Sequence, residues 1–174
     1  RQGGGNRNRR RSAPRRRPQS DAQEQQRSGN LTTANSLPPV EPPTGFAKLG
    51  VPERIDLGLA AAGFAEPFAI QLEAIPVAMR GRDVCGRAKT GSGKTLAFGI
   101  PMLSRMNGSA GPNAPLGLVL VPTRELAVQV AEVLQPVAAS AGITVAPIYG
   151  GASREHQVRD LQRGVELVVA TPLR

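Results

Sequence analysis

The sequence predicts an α/β domain, a parallel sheet flanked by helices, preceded by a tail with no core of its own. Three observations carry that expectation. Leu116-Gly117-Leu118-Val119-Leu120-Val121 and Val165 to Ala170 are continuous apolar runs of strand length, as expected of strands buried on both faces. Segments with helical spacing lie between the apolar runs, and such alternation favours parallel pairing through helical crossovers. The third signal is the loop Ala88-Lys89-Thr90-Gly91-Ser92-Gly93-Lys94-Thr95, set between the short apolar run Asp83-Val84-Cys85-Gly86 and Leu96-Ala97-Phe98. That order reads as strand, loop, helix.

At 174 residues the chain suits one domain with an appendage. Residues 1–30 hold nine arginines against Asp21 and Glu24, so +7 of the formal +9 sits there and +2 is left for the rest. Arg7, Arg9, Arg10, Arg11, Arg15, Arg16 and Arg17 are interspersed with Gly, Asn, Gln, Ser and Pro, and no apolar run offsets the entropy of ordering. The expectation is a disordered tail over residues 1–45. Its charge suits RNA or DNA phosphates through counterion release, with a solvated flexible arm as the less favoured alternative. Residues 31–45 carry four prolines and read as an extended linker.

Folded structure is expected from Phe46. Pro52 at a first turn, Ile55, Leu57 and Leu59 within it and Gly63 beyond it describe a short helix. Pro67 opens a second helix, Phe68 to about Met79, which Pro76 should bend or interrupt. After the glycine-rich loop come a helix from Lys94 to about Met106, a Gly/Asn/Pro loop to Pro115, and the strand 116–121. Leu126, Val130, Val133 and Leu134 give a helix from Arg124 to Ala141, closed by Gly142. Ile143 to Tyr149 reads as a strand, Arg154 to Arg163 as a polar helix, and Val165 to Ala170 as a last buried strand.

The loop carries the chemistry. Gly91 and Gly93 let backbone N–H groups converge on an anion, and the following helix adds its partial positive end. Lys94 can then reach the β- and γ-phosphates of a nucleoside triphosphate, and the Thr95 hydroxyl can ligate Mg2+. Cys85 is the only cysteine, so an internal disulfide or a cysteine-based zinc site is excluded; its predicted role is a small buried hydrophobe. No stretch reaches the roughly 18 apolar residues of a membrane span, and the expectation is a cytoplasmic protein.

Several ordered motifs over about residues 46–174 resemble the DEAD-box ATP-dependent RNA helicases, built on RecA-like domains. Gly63-Phe64-Ala65-Glu66-Pro67-Phe68-Ala69-Ile70-Gln71 is similar to that family's Q motif, with Phe46 as the isolated aromatic upstream. Ala88 to Thr95 resembles its motif I, Pro122-Thr123-Arg124-Glu125-Leu126-Ala127 its motif Ia, Gly150-Gly151 its paired glycines, and Thr171-Pro172-Leu173-Arg174 the next RNA-facing motif. Phe68 stands where Thr is usual, Lys89 where Gln is usual, and Leu173 where Gly is usual.

The resemblance implies ATP and Mg2+ at Phe46, Gln71 and Ala88, Lys89, Thr90, Gly91, Ser92, Gly93, Lys94 and Thr95. It implies contact with single-stranded RNA backbone at Pro122, Thr123, Arg124, Gly150, Gly151, Thr171, Pro172 and Arg174. Gln71 offers a donor and an acceptor in one plane, which suits adenine N7 and N6 and not guanine O6. Alternatively it is an ordinary helix-surface glutamine. Phe46 either stacks on the base or anchors a core. Thr123 and Ser153 suit helix N-caps, and Gly150-Gly151 suits any tight turn. The RNA-facing set would address phosphate and sugar rather than base edges.

The family's Asp-Glu pair, its Ser-Ala-Thr segment and a second RecA-like domain do not occur in these residues. The chain is expected to be an inactive fragment of a longer helicase, with an open sheet edge that invites aggregation. Two other readings stay open: a non-catalytic RNA-binding module acting through the arginine tail, and a different phosphate-loop enzyme such as a small-molecule kinase.

Overall fold

The computed structural model describes residues 44–172. The tail expected over residues 1–45 falls almost wholly outside that range, and so do Leu173 and Arg174. In chain order the elements are a 3-10 turn Ala47–Leu49, α1 Glu53–Ala61, α2 Ala69–Met79, α3 Lys94–Arg105, β1 Gly117–Leu120, α4 Arg124–Ala139, β2 Val145–Ile148, α5 Arg154–Arg163 and β3 Leu167–Ala170.

The described chain starts on a buried carboxylate. Asp56, on α1, accepts the backbone N–H of Thr44 at 3.0 Å and also the Thr44 hydroxyl, whose oxygen accepts from Phe46 N at 3.2 Å. Residues 44–46 are thereby tied to α1, and the Phe46 ring enters the core with 1% of its surface exposed. Arg54, two residues before Asp56, donates to the Ser104 carbonyl at 2.9 Å and so closes the C-terminal end of α3. Pro76 does not interrupt α2, which runs on to Met79. The carbonyl that Pro76 deprives of a donor belongs to Leu72, an exposed residue, so water can take its place.

The three strands pair in parallel in the order β1-β3-β2, joined by α4 and α5. Parallel pairing requires such crossovers. Since partners in register share a face, Leu167 and Val169 of β3 line one side with Val119 and Val145. On that side lies the main core, where Ile55, Leu59, Ile100, Leu103, Leu134 and Val137 are fully buried. The α1–α4 crossing is close: a Cβ on Gly58 would strike the carbonyl oxygen of Val137. The opposite side carries the rows Leu118, Val168, Ala146 and Leu120, Ala170, Ile148. There Leu161 of α5 packs over the Ala146 and Ile148 end, and the leucine end stays open.

Two strand expectations are corrected. Residues 83–86 form no strand: the segment pairs with nothing among the described residues, and Val84 and Cys85 are exposed, so Cys85 is not a buried hydrophobe. The run at 116–121 does form β1, yet it is not buried on both faces; Leu116, Leu118 and Leu120 are exposed at 48%, 55% and 61%. Its second edge has no partner among the described residues, so those leucines have strand neighbours on the β3 side alone.

One buried carboxylate stitches the loops below the sheet. Glu166 accepts the N–H of Ala110 at 2.9 Å and of Thr144 at 2.8 Å. Burial pushes its pKa up, but the backbone N–H groups of Ala110 and Thr144 outweigh it and hold the carboxyl below its ordinary value of 4.5. A depressed folded pKa means that the stabilisation is complete above 4.5 and is lost as pH falls through the lowered value. Glu166→Gln should therefore destabilise the protein at neutral pH, and its stability should converge with that of the parent in acid, as read by urea unfolding across a pH series. Parallel curves at all pH values would contradict the assignment.

Candidate functional site

The glycine-rich loop meets α3 in a conformation built for an anion. Gly91 and Gly93 have φ of 79° and 83°, in the left-handed region that other residues avoid. Helical bonding starts with Ala97 N to Gly93 O at 3.2 Å, so the amides of Lys94, Thr95 and Leu96 have no partner within the helix. Lys94 Nζ donates to the carbonyls of Ala88 and Lys89, each at 2.7 Å, which fixes the ammonium over the loop. The Ser92 hydroxyl is buried and has no hydrogen-bond partner among the described residues. A fixed cation, three free amides, an orphaned hydroxyl and the nearby Thr95 hydroxyl together fit a polyphosphate and a hard cation bound to it.

Gln71 holds this loop in place. Its Oε1 accepts from Phe68 N at 2.7 Å, and its Nε2 donates to Gly93 O at 2.9 Å. The first bond is the reciprocal half of a capping box: it satisfies the N–H of Phe68, while the first turn of α2 receives no side-chain acceptor, since a phenyl ring has no oxygen to offer. With only 2% of its surface exposed, Gln71 is not an ordinary helix-surface glutamine. Gln71 and residues 88–95 are thus brought together. Phe46 is not an exposed platform: of the two roles left open by the sequence, the structure places its ring in the core.

The second predicted set gathers at the C-terminal ends of the strands. Pro122, Arg124, Gly150, Thr171 and Pro172 line one shallow depression of about 470 Å³. Parallel sheets place ligands at this end because the loops there follow several strands at once. Thr123 caps α4, its Oγ1 accepting from Leu126 N at 3.3 Å, and Ser153 caps α5 in the same way from His156 N at 3.4 Å. The Arg124 guanidinium lies 5.8 Å from the Tyr149 ring centroid, and its Nε is 3.6 Å from Glu125 Oε1. Such an exposed ion pair is weak, so the guanidinium stays free to take a phosphate. Gly151 lies beside the same arginine.

Sequence reasoning missed two residues here. Gln157, buried, donates to Tyr149 O at 3.1 Å and accepts from Tyr149 N at 3.2 Å, which fixes the backbone just before Gly150. Tyr149 in turn presents its ring to Arg124. The one available signal was a glutamine in a helix whose only apolar residues are Val158 and Leu161, and nothing in its spacing distinguishes it from Gln162.

The fold and these two sites define a nucleotide-binding α/β domain with a second, cationic site at its strand ends. Residues 68–174 match the family model for the DEAD/DEAH box helicase, and the chain belongs to that family. It is 47% identical over 135 residues to DEAD-box ATP-dependent RNA helicase 20 of Oryza sativa subsp. japonica, a match covering 76% of this chain and 27% of that protein. Helicase 30 of Arabidopsis thaliana is 46% identical over 132 residues, covering 73% of this chain and 22% of the relative. Among solved structures, the RNA helicase Prp28 from Chaetomium thermophilum, bound to ADP, superposes with a TM-score of 0.64 at 40% identity, covering 76% of this chain and 33% of that one. The architecture is RecA-like, and the chain spans about a quarter of the length of the relatives it matches.

Removing the Gln71 amide leaves Gly93 O and Phe68 N without their partners. Gln71→Ala should lower the unfolding free energy by about 1–3 kcal/mol, measured by urea denaturation. An unchanged midpoint would mean that the loop is held by something else.

Proposed function

We propose that the whole protein is an ATP-dependent RNA helicase that grips single-stranded RNA by its backbone and separates short duplexes. In this reading residues 1–45 are a basic arm, and residues 46–174 supply most of the ATP-binding domain. The observation that carries it is the Lys94 ammonium, fixed 2.7 Å from two loop carbonyls beside the three free amides of α3. The helicase names of the rice and Arabidopsis relatives, and the ADP bound to the Prp28 structure, support it further.

The chain's own residues would act as follows. Lys94 would exchange its carbonyl partners for β- and γ-phosphate oxygens, charge-assisted bonds stronger than those it leaves. The amides of residues 94–96 would accept no cost of reorganisation, since they already face the site. Thr95 would hold Mg2+ through its hydroxyl, with the ion supplying charge neutralisation between the phosphates. Gln71 has used one lone pair and one N–H; the second of each is the acceptor and donor pair that adenine N6 and N7 require. ATP should therefore be preferred over GTP.

At the strand ends, Arg124 would bind a phosphate and the backbone at Gly150, Gly151 and Thr171 would address phosphate and sugar. None of these groups reads a base edge, so binding would be independent of sequence. Hydrolysis in this family type depends on further charge-stabilising groups, worth about 10³–10⁵ in rate for an arginine alone. Residues 1–174 by themselves should bind ATP weakly and turn it over hardly at all.

Lys94→Ala in the whole protein should abolish ATP binding, while Gln71→Ala should weaken ATP more than GTP and so narrow the ratio of their affinities; calorimetric titration reads both. Unchanged ATP affinity in Lys94→Ala would refute the assignment. Arg124→Ala should weaken RNA binding alike for all sequences and reduce the slope of log affinity against log salt by about 0.7, the share of one phosphate on a single strand. A slope equal to that of the parent would remove Arg124 from the interface.

A further inference from the structure

We infer that Phe68 forms the platform on which the purine of the bound nucleotide stacks, an inference that rests on the reading of residues 88–95 as a triphosphate site. Phe68 is 59% exposed, so more than half of its side chain is open to a partner. It occupies the N-cap of α2, where Ser, Thr, Asp or Asn would accept a first-turn N–H, and it makes no such bond. The position therefore forgoes a side-chain cap and leaves an apolar ring in water. A ligand that covers the ring would offset both.

The surroundings identify that ligand. The backbone of Phe68 is fixed by its N–H bond to Gln71 Oε1 at 2.7 Å, so the ring is carried on a rigid support. An atom in the Cβ position of Gly93 would lie 2.8 Å from Phe68 Cδ2, which sets the ring directly against the residue that starts α3. Ring, Gln71 amide and Lys94 ammonium thus share one corner of the molecule. A nucleotide whose β- and γ-phosphates occupy Gly91 to Thr95 carries its base beyond the α-phosphate and the ribose. Two exposed rings lie near the loop, Phe68 at 59% and Phe98 at 36%, and Phe68 is the one whose backbone bonds the Gln71 amide, whereas Phe46 is 1% exposed.

Every base has a π face, so stacking adds affinity without choosing among bases. Choice is left to the hydrogen-bonding edge, which is the task of Gln71. The two residues therefore divide the work, and the division is what makes the inference testable.

The test titrates the whole protein with ATP, GTP and inorganic triphosphate, each with Mg2+, in the parent and in Phe68→Ala, Phe68→Leu, Phe68→Trp and Lys94→Ala. Phe68→Ala should weaken ATP and GTP by the same factor, roughly tenfold or more, and leave triphosphate within about twofold. Phe68→Leu should behave like Phe68→Ala, and Phe68→Trp should bind nucleotide as the parent does, with indole emission that ATP quenches. Residues 1–174 contain no tryptophan, so the new emission is read as the difference from the parent.

Lys94→Ala separates the two levels of the argument. If it binds ATP like the parent, the triphosphate site itself is wrong and the inference falls with it. If it loses all three ligands while Phe68→Ala still binds ATP within about twofold of the parent, the triphosphate site stands and the platform is overturned. Equal weakening of triphosphate and ATP by Phe68→Ala would also overturn it, since the ring would then only shape the loop. Should Phe68→Ala fail to fold, the comparison of Phe68→Leu with Phe68→Trp decides: equal affinity contradicts stacking.

Discussion

The bond from Gln71 Nε2 to Gly93 O is the contact on which the arrangement of the glycine-rich loop depends. Residues 82–89 reach the glycine-rich loop without pairing to any strand among the described residues, so no sheet ladder fixes the approach to it. The loop is instead held from the far side, by the start of α3 and by a glutamine on α2. That glutamine is almost fully buried and uses both ends of its amide, which makes the contact costly to break. Lys94 completes the arrangement from within the loop, so its charge is already placed before any phosphate arrives. Pre-placement of this kind lowers the ordering cost of binding.

The second site is organised on the same terms but by the sheet. Three parallel strands end together, and the turns that follow them bring Arg124, Gly150 and Thr171 into one depression although 47 residues separate the first from the last. Caps at Thr123 and Ser153 fix where α4 and α5 begin. The buried Gln157 fixes the turn between them by bonding both polar groups of the Tyr149 backbone. Because the main core lies on one side of the sheet, α1, α3 and α4 carry most of the packing. The nucleotide loop and the cationic depression are therefore tied to one another through α3, α4 and β3, elements that pack directly together.

Motifs whose chemistry is local were legible in the sequence. The polar helix Arg154–Arg163 lies where its spacing put it, and the left-handed glycines of the phosphate loop are where the loop needs them. What failed were inferences from apolarity alone. The apolar residues at 83–86 and at 116–121 both suggest buried strands, yet the first segment pairs with nothing among the described residues and the second has a bare face. A run of valine and leucine reports that a strand could be buried, and not which neighbour would bury it. Phe46 and Phe68 show the same limit: their spacing to the motif was visible, whereas the burial of Phe46 depends on Asp56 holding Thr44 from twelve residues away, and nothing in the sequence marks the exposure of Phe68. Glu166 was invisible for a related reason, since its partners Ala110 and Thr144 are distant in sequence and offer only backbone.

Amide hydrogen exchange on the whole protein, with and without ATP and Mg2+, tests the central claim most directly. The amides of Lys94, Thr95 and Leu96, free of helical partners, should exchange markedly more slowly once nucleotide is added, while those of the distant α5 helix stay unchanged. Equal exchange at residues 94–96 in both states, at nucleotide concentrations that saturate the protein, would contradict the account.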